Sequence, residues 1–185
     1  MPPKNQIRII ILLLFCPIAA LAQIGSAQSQ VNIIISQAQS IEVLQPSVNI
    51  SMTQASHYLN GSSSGVQSNH VQVTSTTGYQ LNVRSLTQFF SLNGSTTTLP
   101  VNSIAVQTTV GSDLTNTGTA APAGLQVVSQ VPLSATAATI ATSPIGEGGR
   151  GFNVNYTIPA NQTQNYLNKA AGTYSTTVVY TLLPQ

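Results

Sequence analysis

Charge is what this sequence has least of. Charged residues make up 4% of the 185 residues, against roughly a quarter of an average globular chain. There is no tryptophan, a single cysteine at Cys16, and an aromatic content of 5%. Ser, Thr, Asn and Gln instead account for 75 residues, a composition that argues against a helix-rich enzyme. Because the hydrophobic content of 42% is too high for a disordered chain, we expect a folded core beneath an uncharged polar surface.

The N-terminus predicts a secretory signal peptide over residues 1–22. Lys4 and Arg8 precede an apolar run at 9–15, and small residues follow up to Ala22, which is the pattern of a cleaved leader. Pro17 interrupts the apolar stretch, whereas a membrane span needs about 20 apolar residues. We therefore expect a secreted or cell-surface protein, periplasmic if an outer membrane retains it, with no membrane span after cleavage.

Cleavage would leave a mature chain of two parts, a flexible lead at 23–30 and a domain at 31–185. This chain carries no cysteine for a disulfide and has equal numbers of cations and acids, which are Arg84, Arg150, Lys169, Glu42, Asp113 and Glu147. Three scattered cations cannot form the basic footprint of a nucleic-acid-binding protein. The same small number of cations also excludes a polybasic membrane-binding patch.

Short runs with a period of two predict β-strands. In the longest run, at 174–182, Tyr174, Val178, Tyr180 and Leu182 share one face. Similar runs occupy 48–52, 79–83 and 152–158, and weaker ones occupy 31–35, 71–74, 104–110 and 125–131. We predict an all-β fold, a single antiparallel sandwich of immunoglobulin-like or Greek-key type.

Other segments predict turns and at most short helical structure. Asn60-Gly61 and Asn93-Gly94 are typical of tight hairpin turns. Residues 161–171 could hold one short helical turn, and 135–141 could be a strand or a loop.

Motifs for catalysis match in letters but lack their context. The segment at 61–65 has the form G-x-S-x-G, yet both His57 and His70 precede Asp113 and Glu147, whereas the hydrolase motif requires the order Ser, acid, His. The segment at 146–151 has the form G-x-G-x-x-G, but a strand rather than a helix is predicted from Phe152. We interpret these segments as a polar hairpin loop and as a glycine-rich loop in which Glu147 and Arg150 could face each other.

We predict no catalytic, cofactor or metal site. The acids are far apart in sequence, and two histidines are fewer than the three or four ligands of a typical zinc site. The function class that follows is non-enzymatic, with a secreted hydrolase as the distant alternative.

Two segments resemble halves of a WxL-type bacterial surface domain. They contain Tyr79-Gln80-Leu81 and Tyr180-Thr181-Leu182, in which tyrosine stands where the family has tryptophan. The resemblance implies a cell-wall-associated protein that binds peptidoglycan. The ending at 171–182 is also similar to secreted sandwiches of the spore-coat-U and Csu-type pilin group, which assemble by strand exchange.

The tyrosine motifs have two interpretations. A tyrosine and a leucine two residues apart share one strand face, so Tyr79 with Leu81, and Tyr180 with Leu182, form matching apolar pairs. If these pairs are buried they belong to the core; if exposed they could bind a glycan or a partner chain.

Val31, Ile33 and Ile35 form a candidate donor strand. They share one face of an N-terminal segment, and such a strand can complete the sheet of a neighbouring subunit. The alternative is an ordinary first strand of the chain's own sandwich.

The sequence as a whole predicts an exported structural, adhesion or binding module. Its expected partners are cell-wall or surface polysaccharide, other surface proteins, or further copies of itself, since a mature net charge near zero favours association. Five N-x-[ST] sequons would matter in a glycosylating pathway, at Asn49, Asn60, Asn93, Asn155 and Asn161.

Overall fold

The computed structural model of the protein describes residues 26–115 and 120–185. The signal peptide and the first residues of the lead lie outside the described residues. Residues Ser36–Gln185 form one compact unit, and the residues up to Ile35 belong to a separate unit. Residues 26–35 are exposed and have no regular secondary structure.

The described part of the compact unit contains thirteen strands, one short α-helix and two 3₁₀ helices. The strands are β1 (Gln39–Val43), β2 (Gly61–Ser63), β3 (Gln67–Ser75), β4 (Tyr79–Ser85), β5 (Phe89–Leu92), β6 (Ser95–Pro100), β7 (Ala105–Asp113), β8 (Gln126–Val127), β9 (Gln130–Pro132), β10 (Ala138–Ser143), β11 (Glu147–Pro159), β12 (Tyr174–Ser175) and β13 (Val178–Pro184). The α-helix α1 spans Ala55–Asn60, and the 3₁₀ helices span Val101–Ser103 and Ala160–Tyr166.

The strands form three sheets in which every pairing is antiparallel. The larger sheet has the order β1-β3-β11-β7-β9, with β2 also paired to β11. The smaller sheet has the order β13-β4-β10-β8, and a third sheet has the order β12-β5-β6. This architecture confirms the predicted all-β antiparallel sandwich.

The core follows the predicted alternation most closely in β4 and β11. Tyr79, Leu81 and Val83 of β4 are at most 1% exposed, and so are Phe152 and Val154 of β11. β11 is the longest strand and lies between β3 and β7 in the larger sheet. Its alternating side chains therefore pack in the middle of the protein, where apolar burial stabilises the fold most.

A bulge in β3 interrupts the larger sheet at Asn69. Between the pairs Val71–Phe152 and Gln67–Val154, three residues of β3 face one residue of β11. Asn69 has a φ of 49°, a left-handed conformation that asparagine tolerates better than most residues. Its backbone N–H donates to Asn153 Oδ1 at 2.8 Å, and its Oδ1 accepts from the Ser112 N–H at 2.8 Å. These contacts hold the bulge in place.

Two of the predicted strands are not formed as expected. The run at 174–182 divides into β12, in the third sheet, and β13, in the smaller sheet, so Tyr174 does not share a strand with Tyr180. Residues 48–52 are not in a strand, although Val48, Ile50 and Met52 still pack against the core. The alternating pattern correctly indicated that these side chains point inward. It could not show whether a neighbouring strand is present to pair with their backbone groups.

The two predicted turns also differ in outcome. Asn93-Gly94 joins β5 to β6 with φ angles of 50° and 80°, as a two-residue hairpin turn requires. The prediction of a hairpin turn at Asn60-Gly61 is wrong. Asn60 ends α1, and Gly61, with a φ of 83°, begins β2.

The weaker expectations are mostly met, with one exception. Residues 71–74 lie in β3, the predicted strand at 104–110 is β7 from Ala105, and the run at 125–131 divides into β8 and β9. The ambiguous segment at 135–141 contributes to β10, and the short helical turn is the 3₁₀ helix at Ala160–Tyr166. Residues 31–35 form no strand.

We expect Leu81→Ala to lower the free energy of unfolding by about 2–5 kcal/mol, because Leu81 is fully buried and the substitution leaves a cavity. Leu59→Ala makes the same chemical change at a side chain that is 75% exposed, so its effect should stay within about 0.5 kcal/mol. Urea unfolding of both variants measures the difference. Equal effects would contradict the placement of Leu81 in the core.

Candidate functional site

The first tyrosine motif lies in the core. Tyr79 and Leu81 are both 0% exposed. The Tyr79 hydroxyl donates to Glu147 Oε1 at 2.7 Å, and Glu147 Oε2 accepts from Arg150 Nε at 2.6 Å. Burial and the neighbouring Glu147 carboxylate raise the pKa of Tyr79. The side chains of this motif therefore have no surface to offer a ligand.

The second motif is half-buried on β13. Tyr180 and Leu182 pack against the core cluster from the edge of the smaller sheet. The Tyr180 hydroxyl lies 2.6 Å from the Tyr156 hydroxyl on β11. Burial and the neighbouring Tyr156 raise the pKa of Tyr180. The phenol groups thus connect the two sheets through a polar contact inside the sandwich.

His70 extends this contact into a hydrogen-bonded row. Its Nε2 lies 3.1 Å from the Tyr156 hydroxyl, and its Nδ1 lies 2.8 Å from Gln45 Oε1. The imidazole also meets the rings of Tyr156 and Tyr180 edge to face, at centroid distances of 5.8 and 5.9 Å. A neutral His70 that donates from Nδ1 and accepts from Tyr156 satisfies every group in the row.

The sequence analysis missed this row because His70 is two residues before Gln72 and four before Thr74, and so was expected on the same strand face as these polar residues. A regular strand would place all three on one face, whereas His70 is 2% exposed. His70 lies inside the bulge, directly after the left-handed Asn69, where the alternation of a regular strand does not apply, and its side chain lies beside Tyr156. A histidine next to an asparagine within an alternating run was the available signal.

β13 presents an open hydrogen-bonding edge. In the described part of the chain its strand neighbour is β4, on one side. The Thr177 carbonyl accepts from the Leu86 N–H at 3.0 Å, and the Gln185 N–H donates to the Gly78 carbonyl at 2.8 Å. Odd-numbered residues therefore direct their backbone groups toward β4, and the N–H and C=O groups of Val178, Tyr180 and Leu182 face away from it.

The candidate donor segment is almost fully exposed. Val31, Ile33 and Ile35 are 82–86% exposed, and Ile34 is 91% exposed. A contiguous run of this kind is unusual on a soluble protein and often marks an interaction site.

The serine motif is not arranged as a hydrolase site. Ser62 Oγ donates to the Ser51 carbonyl at 2.6 Å, and Ser63 Oγ donates to Asn155 Oδ1 at 2.7 Å. His57 Nδ1 accepts from the Thr53 N–H at 3.2 Å, and His70 belongs to the buried row. The hydroxyls and imidazoles of this motif are thus used in separate structural contacts.

The prediction of a glycine-rich loop at 146–151 is wrong, because β11 begins at Glu147. The expected facing of Glu147 and Arg150 is confirmed by their ion pair, which is buried.

Within residues 26–115 and 120–185, no group of three His, Cys, Asp or Glu side chains could hold a metal ion. The described helices include none long and apolar enough to cross a membrane.

These observations define the class of protein as an all-β antiparallel sandwich with an open edge strand. No protein-family model matches the sequence, and no curated protein matches it. The function is therefore argued from the surfaces of the chain itself.

We expect Tyr79→Phe to lower the free energy of unfolding by about 1–3 kcal/mol, because it removes a hydrogen bond to a buried carboxylate. Tyr174→Phe is the matched control, since the Tyr174 hydroxyl donates to the Ala170 carbonyl in an exposed contact. Chemical denaturation would show a clear difference between them. An equal loss in the two variants would contradict a structural role for the Tyr79 hydroxyl.

His70 should make the protein less stable in mild acid. Burial lowers the pKa of His70 below its ordinary value of 6.5, so the unfolded chain binds a proton more readily than the folded one. Stability is then complete above about pH 6.5 and falls as the pH drops through that value toward the folded-state pKa, by at most about 1.4 kcal/mol per pH unit.

Urea unfolding at about pH 7.5 and about pH 5.5 tests this dependence. His70→Gln should reduce the difference between the two conditions, whereas His57→Gln should preserve it. A pH dependence that is unchanged in His70→Gln would overturn the assignment.

Proposed function

We propose that the mature chain is an exported, non-enzymatic structural module of the cell exterior that associates with further copies by strand exchange. The observation that carries this proposal is an exposed apolar segment at 31–35 in a protein whose sandwich has an open edge at β13. Binding of a peptide strand to an open sheet edge combines backbone hydrogen bonds with pockets for alternate side chains.

The donor has the pattern that such an edge requires. When residues 31–35 are extended, Val31, Ile33 and Ile35 share one face and Asn32 points to the other. Burial of each aliphatic side chain contributes roughly 1.5–3 kcal/mol. The apolar face would therefore supply most of the association energy.

The acceptor is suited to a donor of this length. The outward backbone groups of β13 belong to Val178, Tyr180 and Leu182, whose side chains are half-buried. β1, at the edge of the larger sheet, lies close to β13, and its Ile41 is also half-buried. An added strand would cover these partly exposed side chains and pair with the free backbone groups.

Except at its last residue, Pro184, β13 lacks the features that protect natural edge strands. Such edges are usually blunted by charged residues, by prolines or by bulges. The sequence from Val178 to Leu183 contains no charged residue and no proline, and its register with β4 is regular throughout. An unprotected edge of this kind favours pairing with another chain.

The tyrosine motifs have a structural role in this proposal. Tyr79 and Leu81 hold the core, and Tyr180 supports β13 from inside through its contact with Tyr156. The proposal therefore does not use them as a wall-binding platform.

The test compares Ile33→Asp with Asn32→Asp in the mature chain 23–185. Both variants add one negative charge to the segment, but Ile33→Asp places it on the donor face. We expect wild type and Asn32→Asp to form concentration-dependent oligomers by light scattering. Ile33→Asp should remain monomeric, since a charge on the apolar face cannot be buried without a partner.

A synthetic peptide covering residues 28–37 tests the acceptor directly. Added to the Ile33→Asp variant, it should slow hydrogen exchange at the backbone amides of Val178, Tyr180 and Leu182. A wild-type chain that stays monomeric at all concentrations, with no protection of these amides by the peptide, would overturn the proposal.

A further inference from the structure

We propose that a groove at one end of the larger sheet binds a neutral polysaccharide chain. The groove consists of two adjoining depressions with volumes of about 370 and 220 Å³, which share Gln130 and Pro159. The larger depression alone falls within the size range of small-ligand sites. This inference does not depend on strand exchange, because no residue of β13 or of the segment at 31–35 lines the groove.

The chemistry of the groove is that of uncharged hydrogen-bonding groups. Six carboxamide side chains line it, those of Asn60, Asn102, Gln107, Gln130, Asn161 and Gln162, and hydroxyls of Ser62, Ser63 and Thr157 add to them. None of the lining residues is ionisable. Each carboxamide both donates and accepts hydrogen bonds, which suits the hydroxyl groups of a sugar.

Two of the lining carboxamides, those of Gln107 and Gln130, are held in place by a directed row of hydrogen bonds that also includes Asn155, which lies outside the lining. Ser63 Oγ donates to Asn155 Oδ1 at 2.7 Å, Asn155 Nδ2 donates to Gln107 Oε1 at 3.0 Å, and Gln107 Nε2 donates to Gln130 Oε1 at 3.1 Å. Asn155, Gln107 and Gln130 are direct cross-strand neighbours on β11, β7 and β9. Their spacing is that of adjacent strands, about 4.8 Å, and is comparable with the length of one pyranose unit.

In two lining glutamines, Gln130 and Gln162, the carboxamide oxygen accepts a hydrogen bond from a neighbouring side chain, and the amide nitrogen remains for a ligand. Gln130 uses its Oε1 to accept from Gln107, and Gln162 uses its Oε1 to accept from Asn165 Nδ2 at 2.8 Å. The partner of each oxygen fixes the orientation of the carboxamide, which reduces the entropy lost when a ligand binds. Both residues line the second depression, so two oriented N–H₂ groups are available to sugar oxygens there.

The absence of charge in the lining selects the class of ligand. A charged sugar loses hydration on binding and would gain no counter-charge from this groove. A neutral glycan pays less for desolvation, and Pro159 and Pro132 provide apolar surface for the ring faces. The favoured ligand is therefore a polysaccharide without carboxylate or sulfate groups.

The test uses laminarihexaose and chitohexaose as neutral probes and hexagalacturonate as the charged one. All measurements are made on the Ile33→Asp chain, so that self-association does not interfere. We expect one of the neutral probes to shift the NMR amide signals of Gln130 and Gln162. Gln130→Met should weaken that binding by about tenfold or more, because methionine keeps the volume and removes the carboxamide.

Gln126→Met is the matched control. Gln126 is an exposed glutamine of β8 in the smaller sheet, so its replacement should leave the affinity unchanged. Thermal unfolding of each variant verifies that the fold is kept.

Three results would overturn the inference. The first is that neither neutral probe binds; the second is that a neutral probe shifts signals away from the groove, or binds Gln130→Met as tightly as the parent chain; the third is that hexagalacturonate binds more tightly than both. Oligomer formation by the wild-type chain is measured separately, so none of these results bears on strand exchange.

Discussion

The burial of alternating side chains from β4 and β11 is the interaction on which the rest of the structure depends. The predicted mature chain has no cysteine for a disulfide and six charged residues, so apolar packing must supply most of its stability. Tyr79 and Leu81 from one sheet and Phe152 and Val154 from the other belong to the same core cluster. β11 also pairs with β2, β3 and β7, which connects this core to the whole larger sheet.

Buried polar contacts add a specificity that apolar packing lacks. The Tyr79 hydroxyl reaches from the smaller sheet to Glu147 at the start of β11, and Tyr180 reaches Tyr156 further along the same strand. Each contact requires one alignment of the sheets, because a shifted alignment would leave buried polar groups without partners. The two contacts lie on different parts of β11 and thereby oppose both sliding and rotation of the sheets.

The surfaces of the protein follow from the same composition. With so few charges, neither the β13 edge nor the groove around Gln130 carries the ionic groups that usually keep proteins apart. The edge offers backbone hydrogen bonds beside half-buried apolar side chains, and the groove offers oriented carboxamides. We propose that one surface joins copies of the chain and the other binds neutral glycan, a combination suited to a structural protein outside the cell.

The sequence by itself determined the all-β class, the inward faces of β4 and β11, and the Asn93-Gly94 hairpin, because a period of two and a positive φ are properties of neighbouring residues. Tertiary structure alone decided that the run at 174–182 divides between two sheets, that His70 turns inward, and that Asn155, Gln107 and Gln130 lie side by side. These features depend on which strands pair and in which register. Pairing is settled by contacts between residues far apart in the chain, and a local pattern carries no record of them.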